Sequence, residues 1–267
     1  MNGEVLNMVN ANSKMIEKLR ADELVTSIKL NVTDIVVAEI AAMAGFDCIW
    51  LDMEHCPADL REVQTAMLAA KARGAETIVR TARGAYSNLT RPLEMDASAI
   101  MVPHVMSAED ARQVAYYTKF HPLGRRPIDG GNSDGMYCMT GVEDYIRYAN
   151  EQKLTIIQIE DVEAYEQLEE IAAVPGIDML FFGPADFAHS LGIPANGADP
   201  RVQKAREDVA RVARKHGKLA GTVGGPGNLK DLYDMGYRLI NVGADVVGLC
   251  NYFTDIVGKV NDIKKIL

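Results

Sequence analysis

The residues able to do chemistry gather at four places in the chain: Leu51-Asp52-Met53-Glu54-His55, Arg80, Gln158-Ile159-Glu160-Asp161 and Gly183-Pro184-Ala185-Asp186. Each follows a short apolar run, so each is expected at the end of a β-strand. Gln158 and Glu160 are two residues apart. Side chains on a strand alternate with period two, so both face one way while Ile157 and Ile159 face the other. Any one of these acids could serve only in a structural ion pair; four polar clusters at successive strand ends point to a site. Two carboxylates on neighbouring strands, Glu160 and Asp186, are suited to hold one divalent cation and leave positions for water and substrate. An all-oxygen ligand set favours Mg²⁺ or Mn²⁺ over a thiolate-type metal, with Co²⁺ as a substitute.

These clusters need elements to position them. Helical patterns ending in Gly and followed at once by a short apolar run recur at Gly45, Gly74, Gly217 and Gly236, and more weakly at Gly176. Gly closes a helix in a left-handed turn without strain, so each marks a helix-to-strand junction. Helix starts are marked by Asp59 with Glu62 and by Ser107 with Asp110, and Val202, Ala205, Val209 and Val212 share one helical face. Eight strands are expected, at about 25–30, 47–53, 76–81, 98–103, 154–160, 178–183, 217–223 and 237–243. Eight βα units in a chain of this length point to a (β/α)8 TIM barrel, whose active sites lie at the carboxyl ends of the strands. An open doubly wound sheet is the alternative, but no GxGxxG follows the first strand. The whole of 1–267 is read as a single domain, with a helical segment over 1–22 and an irregular, Gly-rich insertion over 121–140 before the fifth strand. That insertion would form a lid or a subunit contact.

Composition narrows the function. Of 267 residues 48% are hydrophobic, enough for a sizeable core, and a net charge of −9 argues against general nucleic-acid binding. The four cysteines, Cys48, Cys56, Cys138 and Cys250, show no CxxC spacing, which indicates neither a disulfide framework nor a thiolate zinc site and suits a reducing cytoplasm. No apolar run is long enough to span a membrane.

The segments LDMEHCP, IVR, QIED and GPADF, in this order at strand ends, resemble the HpcH/HpaI aldolase and citrate lyase family over about residues 13–248. Within it, the chain looks like the class II pyruvate aldolases that cleave 4-hydroxy-2-oxo acids, of the 2-keto-3-deoxyglucarate type. The resemblance implies a barrel of the phosphoenolpyruvate/pyruvate-domain type and reversible cleavage to pyruvate and an aldehyde through a metal-stabilised enolate. Glu160 and Asp186 would be the metal ligands. Arg80 would bind the keto oxygen, and His55 would be the general base, oriented by Asp52. Gln158, Glu54 and Glu94 would support them from behind. The backbone N–H groups of Ala185 and Asp186, after Gly183 and Pro184, would receive the pyruvate carboxylate. Where the family reads L-D-A-G-A, this chain reads Leu93-Glu94-Met95-Asp96-Ala97, so Glu94 takes the acid's place and Asp96 that of Gly. The family also implies a homo-oligomer, a hexamer or trimer of dimers, with C-terminal helices exchanged between neighbours. The apolar tail Val246 to Phe253 suits that packing, or would cover its own barrel.

Other readings stay beside this one. An acyl-CoA ester lyase of the citrate lyase beta or malyl-CoA type would carry an Arg-Ser-x-Leu-Phe-x-Pro-Gly segment near the first strand, where this chain has Leu24 to Asn31. A barrel that binds a keto acid without turning it over is the non-enzymatic alternative. Lys29 on the first strand would permit a Schiff-base aldolase, but stands apart from the carboxylates. Cys56 lacks an evident partner base. His104, His121, His189 and His216 are read as surface or satisfied core histidines, and Gly221 to Gly227 as a βα turn closed by Asn228 as a helix cap.

Overall fold

Eight short apolar segments become strands: β1 (Val25–Leu30), β2 (Cys48–Asp52), β3 (Glu76–Arg80), β4 (Ala99–Val102), β5 (Leu154–Ile159), β6 (Met179–Phe182), β7 (Leu219–Val223) and β8 (Leu239–Ala244). In this computed structural model, which describes residues 13–194 and 198–267, each strand pairs in parallel with the next, and β8 returns to β1 to close the barrel. Helices separate the strands, so the chain is the (β/α)8 barrel expected from the sequence.

Alternation along each strand divides the core. Cys48 and Trp50 of β2 point inward to Ile78, Met101, Ile156, Met179 and Phe181, while Ile49 and Leu51 point outward to the helices. The Trp50 ring meets Phe181 edge-on at 5.5 Å between centroids. Met15, Ile16 and Leu19 of the helix Lys14–Arg20 pack into this interior cluster. The helical segment expected over 1–22 otherwise falls largely outside the described residues.

The junctions follow the local chemistry. Asp59 and Glu62 form a reciprocal capping box at the helix Leu60–Ala72. Gly236 ends the helix Leu229–Met235 at φ +110, and a Cβ there would stand 2.7 Å from Arg214 Cδ. Before β4 the left-handed position belongs to Asp96 instead, at φ +76. A non-Gly residue in that conformation costs about 1–2 kcal/mol. Asp96 offsets it by pairing with both Lys71 and Lys153, whose ammonium groups flank its carboxylate. Burial would push that carboxyl up, yet Lys153 and then Lys71 hold it below the usual range. At the glycine-rich turn after β7, Asn228 does not cap the helix as expected; its Oδ1 accepts from Gly225 N at 2.9 Å within the turn.

The segment 121–140 is irregular apart from a 3-10 turn at Met136–Cys138. It is pinned from inside by Arg126, whose guanidinium reaches Asp134 Oδ2 at 2.5 Å and lies 4.8 Å from the Phe120 ring. The final helix, Asp245–Lys264, buries none of its residues and exposes Val247, Tyr252, Phe253, Val257 and Ile263. The tail therefore does not cover its own barrel. The helix Ile35–Met43 likewise exposes Val36, Ile40 and Met43. Among the described residues, no helix is long and apolar enough to cross a membrane.

Candidate active site

The carboxyl ends of β2, β3, β4 and β5 bring one charged group together. Asp52 ends β2 directly opposite Arg80 on β3 in the parallel register. That register makes a two-point pair: Arg80 Nε donates to Asp52 Oδ1 at 2.9 Å and Nη2 to Oδ2 at 2.6 Å. Asp52 is fully buried. Burial would raise its carboxyl, but the Arg80 guanidinium, helped by Lys29, holds it far below the usual carboxylate range. A third nitrogen of Arg80, Nη1, lies 3.1 Å from Glu54 Oε2, and the guanidinium carbon sits 5.0 Å from the Trp50 ring. Arg80 is thus held from two sides and from below.

Glu160 follows β5 and is 1% exposed. Its Oε2 accepts from Gln158 Nε2 at 2.7 Å, and Oε1 from the backbone N–H of His104 at 2.9 Å. Burial pushes the carboxyl up to about 7; the His104 contacts oppose this, and the charges of Asp186 and Glu54 add to it. Among the described residues no Lys or Arg pairs with Glu160. Gly183, after β6, allows the close approach of that strand end, since a Cβ would lie 2.7 Å from Glu160 Oε2. Pro184 opens the helix Pro184–Ser190, and Ala185 and Asp186 follow on its exposed first turn.

The described residues include no group of three or more His, Cys, Asp or Glu disposed to hold a metal ion. The donor chemistry nevertheless fits a cation that takes two carboxylates and completes its shell with water and substrate. Among the described residues Glu160 is a buried carboxylate without a Lys or Arg partner, its one ring contact being His104 Nδ1 at 3.8 Å, Asp186 adds a second negative charge in its field, and buried Gln158 Oε1 finds no hydrogen-bond partner.

The structure departs from the sequence reading at Asp52, Glu94, Lys29 and His104. Asp52 does not touch the His55 ring; the register commits it to Arg80, and only the His55 backbone N–H approaches it, at 3.5 Å. The His55 ring is 59% exposed and lies 3.4 Å from Glu54. Glu94 has no described contact with His55: its backbone carbonyl accepts from Asp134 N at 3.3 Å, and burial raises its carboxyl beside Arg126 and Asp134. Lys29 does not stand apart from the carboxylates, its ammonium being 2.7 Å from Asp52 Oδ2. Cys56 is half-buried, its Sγ 3.9 Å from Leu30 O. His104 is neither a surface nor a core histidine, because its φ of +50 turns the chain end of β4 into the site. Its Nδ1 sits 3.0 Å from Asp161 Oδ2 and its Nε2 3.8 Å from Glu54 Oε1. Burial opposes the charged ring, but Asp161, Glu160 and Glu54 together raise its pKa. The signal for it in the sequence was its place after the apolar run of β4, the same signal that singled out Arg80.

The family model for HpcH/HpaI aldolase/citrate lyase matches residues 30–251. A 2-keto-3-deoxy-L-rhamnonate aldolase of Shigella sonnei is 33% identical over 233 residues, 86% of each chain. A hydroxypyruvate/pyruvate aldolase of Pseudomonas aeruginosa is 32% identical over 244 residues, 91% of each chain. The crystal structure of an HpcH/HpaI aldolase from Desulfitobacterium hafniense superposes with a TM-score of 0.87 at 28% identity, covering 94% of this chain and 97% of that one.

Proposed function

The chain belongs to the HpcH/HpaI aldolase/citrate lyase family, and we propose that it is a divalent-metal-dependent carbon–carbon lyase that reversibly splits a 4-hydroxy-2-oxo acid into pyruvate and an aldehyde. The observation that carries this reading is Glu160, a buried carboxylate in the field of Asp186 that meets no Lys or Arg among the described residues. Glu160 and Asp186 would hold Mg²⁺, Mn²⁺ or Co²⁺, which as a Lewis acid supplies polarisation of the ketone. Arg80, fixed by Asp52 and Glu54, presents its free N–H groups to the keto oxygen and stabilises the negative charge of the enolate. The backbone N–H groups of Ala185 and Asp186 receive the pyruvate carboxylate, and Gly183 and Pro184 set the turn that aims them. In the cleavage direction His55 takes the proton of the 4-hydroxyl. The C3–C4 bond then breaks, its electron pair passing to C3 as the pyruvate enolate while the aldehyde departs. His55 is exposed at the mouth and beside Glu54, where it can exchange that proton with solvent.

The test needs no knowledge of the aldehyde. In D₂O, proton NMR of pyruvate with the protein and Mg²⁺ or Mn²⁺ is expected to lose the methyl signal, and EDTA to slow that loss by about 100-fold or more, the worth of several kcal/mol of charge stabilisation. Exchange indifferent to EDTA would refute metal dependence. No exchange under any metal would favour an acyl-CoA lyase or a non-catalytic binder.

The same reading assigns the protein to the cytoplasm, which suits its four free cysteines, and to a homo-oligomer, a hexamer or trimer of dimers. Support comes from the final helix, which exposes Val247, Phe253 and Val257. A second copy of the chain would bury them. Light scattering should give a multiple of 29.2 kDa, and truncation after Ala244 should reduce that mass or the protein's solubility. A monomeric full-length chain would reject the assignment.

A further inference from the structure

Lys29 is a cation of the site to which the reaction above gives no task. It stands on β1, four strands from β5 in the closed ring and so across the mouth from Glu160. Its ammonium is 2.7 Å from Asp52 Oδ2, and its side chain is 18% exposed. Asp52 does not need it. Oδ1 already accepts from Arg80 Nε and, at 3.0 Å, from the backbone N–H of Glu54, while Oδ2 accepts from Arg80 Nη2 at 2.6 Å. An ammonium has three donors, and one contact with Asp52 leaves two. No described hydrogen bond or ion pair takes them. Asp245, at the start of the final helix, spends its oxygens on the backbone N–H groups of Asn31, Val32 and Val246.

Placing an ammonium at a mostly buried position costs free energy unless it is used. The pyruvate half of the substrate lies toward β5 and β6, where Glu160 and Asp186 stand, so the aldehyde half must extend toward the opposite wall. There it meets the open donors of Lys29. We propose that Lys29 is a specificity-determining residue that binds a carboxylate carried by the aldehyde, so that the preferred acceptor is an anionic aldehyde acid. This rests on the aldolase reading. The contact with Asp52 fixes the direction of Lys29 and leaves its other donors to an anion.

The test compares two small acceptors, glyoxylate and glycolaldehyde, in condensation with pyruvate in the presence of Mn²⁺. For the wild-type protein kcat/KM should favour glyoxylate. In Lys29→Gln the ratio between the two acceptors should fall roughly tenfold to hundredfold, the loss of one charge-assisted hydrogen bond. Lys29→Arg should restore most of it. The ratio cancels any effect on the pyruvate half that the acceptors share. A wild-type preference for glycolaldehyde, or an unchanged ratio in Lys29→Gln, overturns the inference while pyruvate exchange continues to support the aldolase. Absence of exchange in the wild-type protein overturns both. If Lys29→Gln does not fold, the wild-type ratio and the Lys29→Arg ratio decide.

Discussion

Arg80→Ala will lower turnover by about 10³-fold or more, the scale seen when a preorganised donor to a developing oxyanion is removed. Its second effect separates this site from a simple surface charge. Asp52 is fully buried, and without the guanidinium it keeps Lys29 and the backbone N–H groups of Glu54 and His55. Breaking a buried pair from one side costs about 3–5 kcal/mol, so the variant should also unfold at lower denaturant. Arg80→Lys distinguishes charge from shape. A single ammonium cannot span both Asp52 oxygens and Glu54 as the fork does, so it should recover stability more fully than turnover. The measurements are pyruvate exchange by NMR and urea unfolding on the same preparations. Exchange within a few-fold of wild type in Arg80→Ala, with the barrel folded, would remove Arg80 from the chemistry.

Glu160→Gln is expected to have the opposite pair of effects: loss of metal response with no loss of stability. The amide keeps the shape of the side chain but offers one oxygen where a cation needs a charged ligand. In the absence of metal the variant should be at least as stable as the parent, because a desolvated carboxylate without a Lys or Arg partner among the described residues has been replaced by a neutral group. The neighbours permit the exchange. Gln158 can rotate its amide so that the unpartnered Oε1 accepts from the new side chain, while the His104 N–H keeps an oxygen acceptor. Thermal unfolding with and without Mn²⁺ checks both halves: the parent should be stabilised by the ion and Glu160→Gln should not. A similar gain in both proteins would place the metal elsewhere.

Much of this barrel is legible in the sequence because its signals are local. Eight apolar runs, Gly45, Gly74, Gly217 and Gly236 at helix ends, and the capping pair Asp59 and Glu62 each act within a few residues, and each appears as an element boundary. The placing of Gln158 and Glu160 on one face, with Ile157 and Ile159 packed among the helices, follows from the two-residue period alone. What could not be read depends on register between strands. The resemblance implied that Asp52 orients His55, three residues on; the parallel pairing of β2 with β3 gives the carboxylate to Arg80 instead. Lys29 reached the same carboxylate for the same reason, through the pairing of β1 with β2. His104 required a left-handed residue that is not Gly, which no pattern announces. Asp96 is the converse case: a substitution at a glycine position that looks disruptive in the sequence is accommodated by Lys71 and Lys153, which come from distant segments.

The indole beneath Arg80 gives the site an optical reporter. Trp50 is the chain's only tryptophan, 3% exposed, with the guanidinium on one side and Phe181 on the other. Its emission therefore comes from a single, dry environment, free of contributions from the surface. A ligand that draws Arg80 into the mouth or neutralises its charge alters the field across that ring. Intrinsic fluorescence titrations can thus follow occupancy at the mouth directly, for ligands that are turned over and for those that are not.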